Sequence, residues 1–296
     1  MSGEDGEVTD ICASCGIAEI DEIKLKTCAA CACESVRYCS VECQKKHRPH
    51  HKRACKKRMA KSRDELLFRQ PESSYFGDCP ICYLPLTPDP QNFLLSACCS
   101  KMICIGCDYA DQLRQRGLET PQEPSYAFCR EPLPDTEEEF DALVMKRVEK
   151  NDPVAMQQMG NERHDEGDYK SAFEYYTKAA ELGDANAHYN LSVMYELGRV
   201  KKDEKKEVYH LEKAAIGGHV DARHNIGCHE ANNGRMERAV KHFIIAANMG
   251  GEESMKALWN CHARGLVEKD DLSATLRLHQ AAVDATKSPQ REEAKK

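Results

Sequence analysis

Between residues 142 and 286 the apolar positions fall into paired amphipathic stripes rather than one continuous run. Ala179-Ala180, Ala214-Ala215, Ala246-Ala247 and Ala281-Ala282 are spaced by 35, 32 and 35 residues. Gly183, Gly218 and Gly250 follow the first three pairs, where a helix ending in a left-handed residue favours glycine. A further amphipathic stretch precedes each later pair: AHYNLSVMYELG, ARHNIGCHEANNG and SMKALWNCHARG. Two helices every 32 to 35 residues predict a helical solenoid. The small Ala-Ala positions let paired helices approach closely, and Leu191, Tyr195, Ile226, Phe243 and Leu258 fill the seams. A four-helix bundle would bury similar stripes, but it does not demand the same pattern four times.

The first half of the chain has no such period. KKRMAKSRDELLFRQ predicts a basic helix closed by Pro71 and Ser73-Ser74. The pattern divides the chain into an acidic lead (1–11), a cysteine-rich segment (12–55), a basic helix and linker (56–78), a second cysteine-rich segment (79–130), an acidic linker (131–150), the repeats (151–286) and a charged tail (287–296). Apolar residues make up 41% and aromatics 6%, which is lean for one large core. No run approaches the roughly 18 apolar residues of a membrane span, so no membrane role is expected. MSGEDGEVTD is polar and acidic, so no secretory signal is expected and the chain reads as intracellular, in cytoplasm or nucleus.

Cysteine changes the picture most. Of 17 cysteines, fifteen lie between Cys12 and Cys129, and only Cys228 and Cys261 follow. In a reducing compartment that density points to metal rather than disulfides. Cys12-x2-Cys15, Cys28-x2-Cys31, Cys39-x3-Cys43 and His51-x3-Cys55 are ligand pairs that tight turns can present to tetrahedral zinc. Eight ligands fill two closed sites, which are structural rather than hydrolytic. Zinc then replaces a missing core, since structural zinc contributes about 10–16 kcal/mol in small fingers. The fold class expected is multidomain: two small zinc-stabilised fingers followed by an all-α helical-repeat solenoid.

Order and spacing in residues 12–55 resemble the MYND zinc finger. That resemblance implies two Zn2+ ions in an interleaved arrangement, one on Cys12, Cys15, Cys39 and Cys43 and the other on Cys28, Cys31, His51 and Cys55. Cys33 is an alternative to Cys31. It also implies a peptide-binding groove, often for proline-rich PxLxP segments. The family's groove glutamine matches Gln44, whereas its groove tryptophan falls on Arg48. Ten Lys/Arg and no acid lie between Lys45 and Arg63. With a net charge of −7 and no interleaved aromatics, an exposed basic helix face is favoured over nucleic-acid contact.

The second cluster, with Cys79, Cys82, Cys98, Cys99, Cys104, Cys107 and Cys129, resembles an all-cysteine RING finger. The family's cross-brace implies one zinc on Cys79, Cys82, Cys104 and Cys107. Cys98, Cys99 and Cys129 remain for a second, whose fourth ligand should stand three residues before Cys129, at Tyr126. One or two Zn2+ ions follow, with Glu119, Glu123 or water as possible fillers. Ile81 matches the family's contact to a ubiquitin-conjugating enzyme and Arg130 its linchpin cation. The repeats resemble the Sel-one-like subfamily, most closely over Ala187 to Gly218. The loop Gly198-x-Val200-x-x-Asp203 returns as Gly265-x-Val267-x-x-Asp270. Together these resemblances imply a zinc-binding adaptor for other proteins or peptides with no catalytic residue. The alternative is a RING-type ubiquitin ligase whose repeats recruit substrate. The scattered repeat histidines read as surface or core residues, and Cys228 and Cys261 as small core residues.

Overall fold

The computed structural model describes residues 11–19, 23–31, 36–87, 89–117 and 123–296. Cys33, Glu119 and nearly all of the acidic lead lie outside them. The chain divides into two compact units, Met1–Arg69 and Gln70–Lys296.

The first unit is built on little apolar material. Strands β1 (Lys26–Thr27) and β2 (Arg37–Tyr38) pair antiparallel, Lys26 opposite Tyr38. Helix α1 (Val41–Leu67) opens on Ser40, whose hydroxyl accepts from the Cys43 amide at 3.2 Å. It continues through Pro49 and the whole basic stretch, so the boundary expected at residues 55/56 falls inside one helix. Among the described residues, those buried here are Cys12, Cys28, Tyr38 and Cys55, with His51 beside them and Leu67 near the helix end. Sulfur and imidazole stand where a larger domain would place leucine and phenylalanine.

The second unit begins with a hairpin of β3 (Phe93–Ser96) and β4 (Lys101–Cys104), followed by α2 (Ile105–Arg116). Helix α3 (Glu137–Val148) occupies much of the stretch expected as an acidic linker. Its acids explain the difference: Thr136 caps the helix and Glu137, Glu138 and Glu139 fill the first turn, where negative charge is stabilised by the helix dipole. An acidic run therefore looks like a linker in sequence and acts as a helix start.

The repeats follow as helix pairs: α4 (Pro153–Asp165) with α5 (Tyr169–Glu181), α6 (Ala185–Leu197) with α7 (Glu204–Ile216), α8 (Val220–Asn232) with α9 (Met236–Asn248), and α10 (Glu252–Ala263) with α11 (Lys269–Ala285). Ala179, Ala214, Ala215, Ala246 and Ala247 are fully buried at the predicted close approaches, and Leu191, Tyr195, Ile226, Phe243 and Leu258 are buried in the seams. Gly183, Gly218 and Gly250 adopt φ of 93°, 87° and 87°. A second glycine role is visible at Gly160 and Gly227. A Cβ at either would stand 2.5 Å from a ring carbon, of Tyr176 and Phe243 respectively, so each aromatic occupies the space that the glycine leaves open. Of the repeated loop's two aspartates, Asp203 caps α7, whereas Asp270 is the second residue of α11.

Segments expected to be loose are held in this unit. Gln70 donates to the Ile245 carbonyl at 3.5 Å. Tyr75 stacks on His219 with centroids 4.4 Å apart, and His219 on Tyr189 at 4.2 Å. The charged tail forms a short helix, α12 (Pro289–Glu293), capped by Ser288. No helix among the described residues is long and apolar enough to cross a membrane.

Candidate metal centres

Three tight turns share one hydrogen-bond pattern. In the first, the Cys12 amide donates to Ile17 and the Gly16 amide to Cys12. In the second, Cys79 donates to Leu84 and Tyr83 to Cys79. In the third, Tyr126 donates to Glu131 and Arg130 to Tyr126. Each is flanked by a single antiparallel bridge, Ile11 to Ala18, Asp78 to Pro85 and Ser125 to Pro132. The residue after the second cysteine is left-handed in all three: Gly16, Tyr83 and Arg130, with φ of 73°, 57° and 64°. The backbone that aims two thiolates at one point is thus built three times, and in the third copy Tyr126 stands in place of the first cysteine.

In the first unit the predicted ligands gather into two groups. Cys12, Cys15, Cys39 and Cys43 form one, and Cys28, Cys31, His51 and Cys55 the other, with donor atoms in each group all within 4.8 Å of one another. Helix α1 serves both. Cys43 lies in its first turn, while His51 and Cys55, one turn apart, share a face about 12 Å further on, at 1.5 Å rise per residue. Tetrahedral zinc with bonds near 2.3 Å to sulfur sets a sulfur–sulfur edge of about 3.8 Å. The observed Cys15–Cys39, Cys39–Cys43 and Cys28–Cys55 separations are 3.6, 3.5 and 3.9 Å. His51 Nε2 is 3.3 Å from Cys31 Sγ. The donor sets therefore fit zinc. Burial opposes ionisation of Cys12 and Cys28, yet backbone amides directed at the sulfurs prevail and draw both thiols down to about 6.

In the second unit Cys79, Cys82, Cys104 and Cys107 converge in the same way, with Cys82 and Cys104 3.8 Å apart. The Cys104 thiol and nearby amides pull Cys79 down to about 4 despite burial. Sequence reasoning missed the cation over this group. Arg291 on α12 is 4% exposed. It donates to the carbonyls of Pro85 at 2.6 Å and Leu84 at 3.1 Å, and approaches Cys82 Sγ at 3.5 Å. Gly106, between two of the cysteines, makes room: a Cβ there would lie 2.7 Å from the Arg291 backbone nitrogen. A positive charge over a four-thiolate group offsets its excess negative charge. The one sequence signal was an arginine in a tail otherwise without structural pattern.

The remaining group differs. Cys98, Cys99 and Cys129 converge, with Cys98 and Cys129 sulfurs 2.8 Å apart, well short of a tetrahedral edge. Burial pushes Cys98 and Cys99 upward. Among the described residues no fourth donor joins them, and Glu123 is exposed. Tyr126 packs instead in a cluster with Ala97, Val144, Ala155 and Met159, which ties the finger to α3 and α4.

The predicted partner-facing residues fare unequally. Gln44 is half-buried, with Nε2 3.5 Å from Cys28 Sγ. Ile81 is 38% exposed. Arg130 is engaged: one guanidinium nitrogen reaches both oxygens of Asp111 at 2.6 Å. Asp111 also accepts from Arg114 at 3.0 Å and Gln115 at 2.6 Å. Burial opposes its charge, but these donors hold its carboxyl below the usual carboxylate range. Arg130 thus pins the third turn to α2.

Residues 12–55 match the MYND finger family. Residues 153–184, 185–219 and 233–251 match the Sel1 repeat. The chain therefore combines a MYND finger, a module that implies zinc binding, with Sel1 repeats. Among curated relatives, it is 25% identical over 175 residues to the mouse protein DAP3-binding cell death enhancer 1, spanning 45% of this chain and 34% of that one. The rat protein of that name is 24% identical over 180 residues, spanning 47% and 35%. The chain thus spans about a third of the length of these relatives. Among solved structures, a Sel1 repeat protein from Oxalobacter formigenes shares 31% identity with a TM-score of 0.44, covering 51% of this chain and 65% of that one. The Escherichia coli antigen c5321, described as having an SLR fold, shares 17% identity with a TM-score of 0.33, covering 55% and 48%.

Proposed function

We propose that this protein is a zinc-built interaction adaptor whose MYND finger and Sel1 repeats each engage other proteins. The observation that carries this reading is the closure of the first finger's donors into two groups of four. Four protein donors leave no coordination position for substrate, so the metal shapes a surface rather than performing a reaction. Three Zn2+ ions are assigned: two in the MYND finger and one on Cys79, Cys82, Cys104 and Cys107. Among the described residues the Cys98, Cys99 and Cys129 group has no fourth donor, and we read it as vestigial. The name of the mouse relative describes a protein that binds a protein, which is in keeping with an adaptor role here.

Exposed Ile81 is the observation that favours a ubiquitin ligase. Arg130 weighs the other way, since its guanidinium is committed to Asp111. The test is proximity labelling by the full chain in cells, alongside autoubiquitination with a panel of conjugating enzymes. An adaptor loses one set of partners with His51→Ala and another with Trp259→Ala, a half-exposed repeat residue, and builds no ubiquitin chains. Ubiquitin chains that vanish with Ile81→Ala overturn the adaptor reading in favour of the ligase.

A further inference from the structure

We infer that the MYND finger's groove selects an extended acidic peptide rather than a neutral proline-rich one. The inference rests on the reading of this finger as a peptide-binding surface and adds the chemistry of the peptide. The groove has a volume of about 300 Å³ and runs along α1. Its floor is formed by the buried Tyr38 ring and the exposed Met59, beside the zinc-group residues Cys28, His51 and Cys55. Its wall is a row of cations. Arg48, Lys52 and Lys56 line the groove and are all exposed. Among the described residues none of the three has a carboxylate partner, while Lys61 further along the helix pairs with Glu65 at 3.7 Å.

The spacing of that row decides the kind of occupant. Residues four apart on a helix rise by about 6 Å. Alternate side chains of an extended strand are about 6.7 Å apart. Carboxylates on every second residue of an extended peptide therefore match the three cations in turn, while an apolar side chain meets the floor at Tyr38 and Met59. Nucleic acid is the competing occupant of a basic surface, but it gains little from a floor whose one aromatic ring, Tyr38, is buried. Such binding is governed by charge recognition with a modest contribution per pair.

Fluorescence anisotropy of the zinc-loaded full chain tests this with labelled probes: a peptide alternating glutamate and leucine, its glutamine counterpart, a neutral PxLxP peptide and a single-stranded oligonucleotide. The acidic peptide is expected to bind at least about tenfold more tightly than its glutamine counterpart, a difference of about 1.4 kcal/mol. Lys52→Glu/Lys56→Glu, at exposed positions, is expected to remove that preference while zinc content and helicity stay unchanged. Equal binding of the glutamine peptide, or tighter binding of PxLxP, overturns acidic selection and leaves the peptide-binding reading intact. Preference for the oligonucleotide, or no peptide binding at all, overturns both.

Discussion

Tyr126 and Cys79 occupy the same position in two copies of one turn. Each donates its amide five residues ahead, to Glu131 and Leu84, and each carbonyl accepts from the left-handed residue four ahead, Arg130 and Tyr83. The turn that presents a first ligand at Cys79 is built again at Tyr126, with a ring in place of the sulfur. Tyr126→Cys is therefore expected to raise the zinc content by one ion per chain, measured by elemental analysis. The same change removes a ring from the cluster with Val144 and Met159. In metal-free protein it should cost about 2–4 kcal/mol, in the range of large-to-small core substitutions. An unchanged zinc count would mean that the three-cysteine group is not a zinc site missing one ligand.

Arg291 ties the C-terminal helix to the second finger. Arg291→Ala removes donors to the Leu84 and Pro85 carbonyls and the cation near Cys82 and Cys104. Gly106→Ala drives a methyl group against the Arg291 backbone. Both are expected to expose residues 286–296 to limited proteolysis and to speed zinc loss to a chelator, with Arg291→Lys intermediate. Unchanged cleavage in both variants would show that α12 docks independently of these contacts.

Asp111 needs its cations. In Arg130→Ala the carboxylate keeps Arg114 and Gln115 but loses its shortest ion pair. A stability loss of about 1–3 kcal/mol in urea unfolding is expected, the usual cost of a broken bond to a buried charge. Because Asp111 titrates below the ordinary carboxylate range when folded, its contribution is present above that range and fades as pH falls through its folded value.

Buried His219 and half-buried His188 and His210 are expected to make the repeats acid-sensitive. Burial lowers His219 to about 3, and lowers His188 and His210 to about 4. The unfolded chain takes up protons near the ordinary value of about 6.5 while the folded one does not, so stability falls as pH drops from there towards 4. His219 Nδ1 also accepts from the Ala222 amide at the start of α8, which requires the neutral ring. His219→Asn keeps a capping acceptor without a titrating ring. Its melting temperature should fall less between pH 7 and pH 5 than that of the wild type, and an equal or larger fall would remove His219 from the account.

How much of this was legible in sequence depended on the physics of each feature. Helical repeats announce themselves because 3.6-residue periodicity and small buried residues must recur in every unit, as at Ala179, Ala214 and Ala246. The cysteine groups were legible because a turn holding two ligands allows few spacings. Tyr126 stood out as a gap in that spacing, but its packing against α3 and α4 is a long-range fact. Arg291 and the Tyr75–His219 stack join residues far apart in the chain through contacts that carry no local period. The acids before α3 misled because one composition serves both a solvated linker and the first turn of a helix.

Native mass spectrometry of the intact chain, purified without chelator, tests the central assignment most directly. The proposed two closed sites in the MYND finger and one in the second finger predict a mass carrying three zinc ions and fully reduced cysteines. A folded chain without metal, or one whose cysteines are oxidised in pairs, would contradict the account.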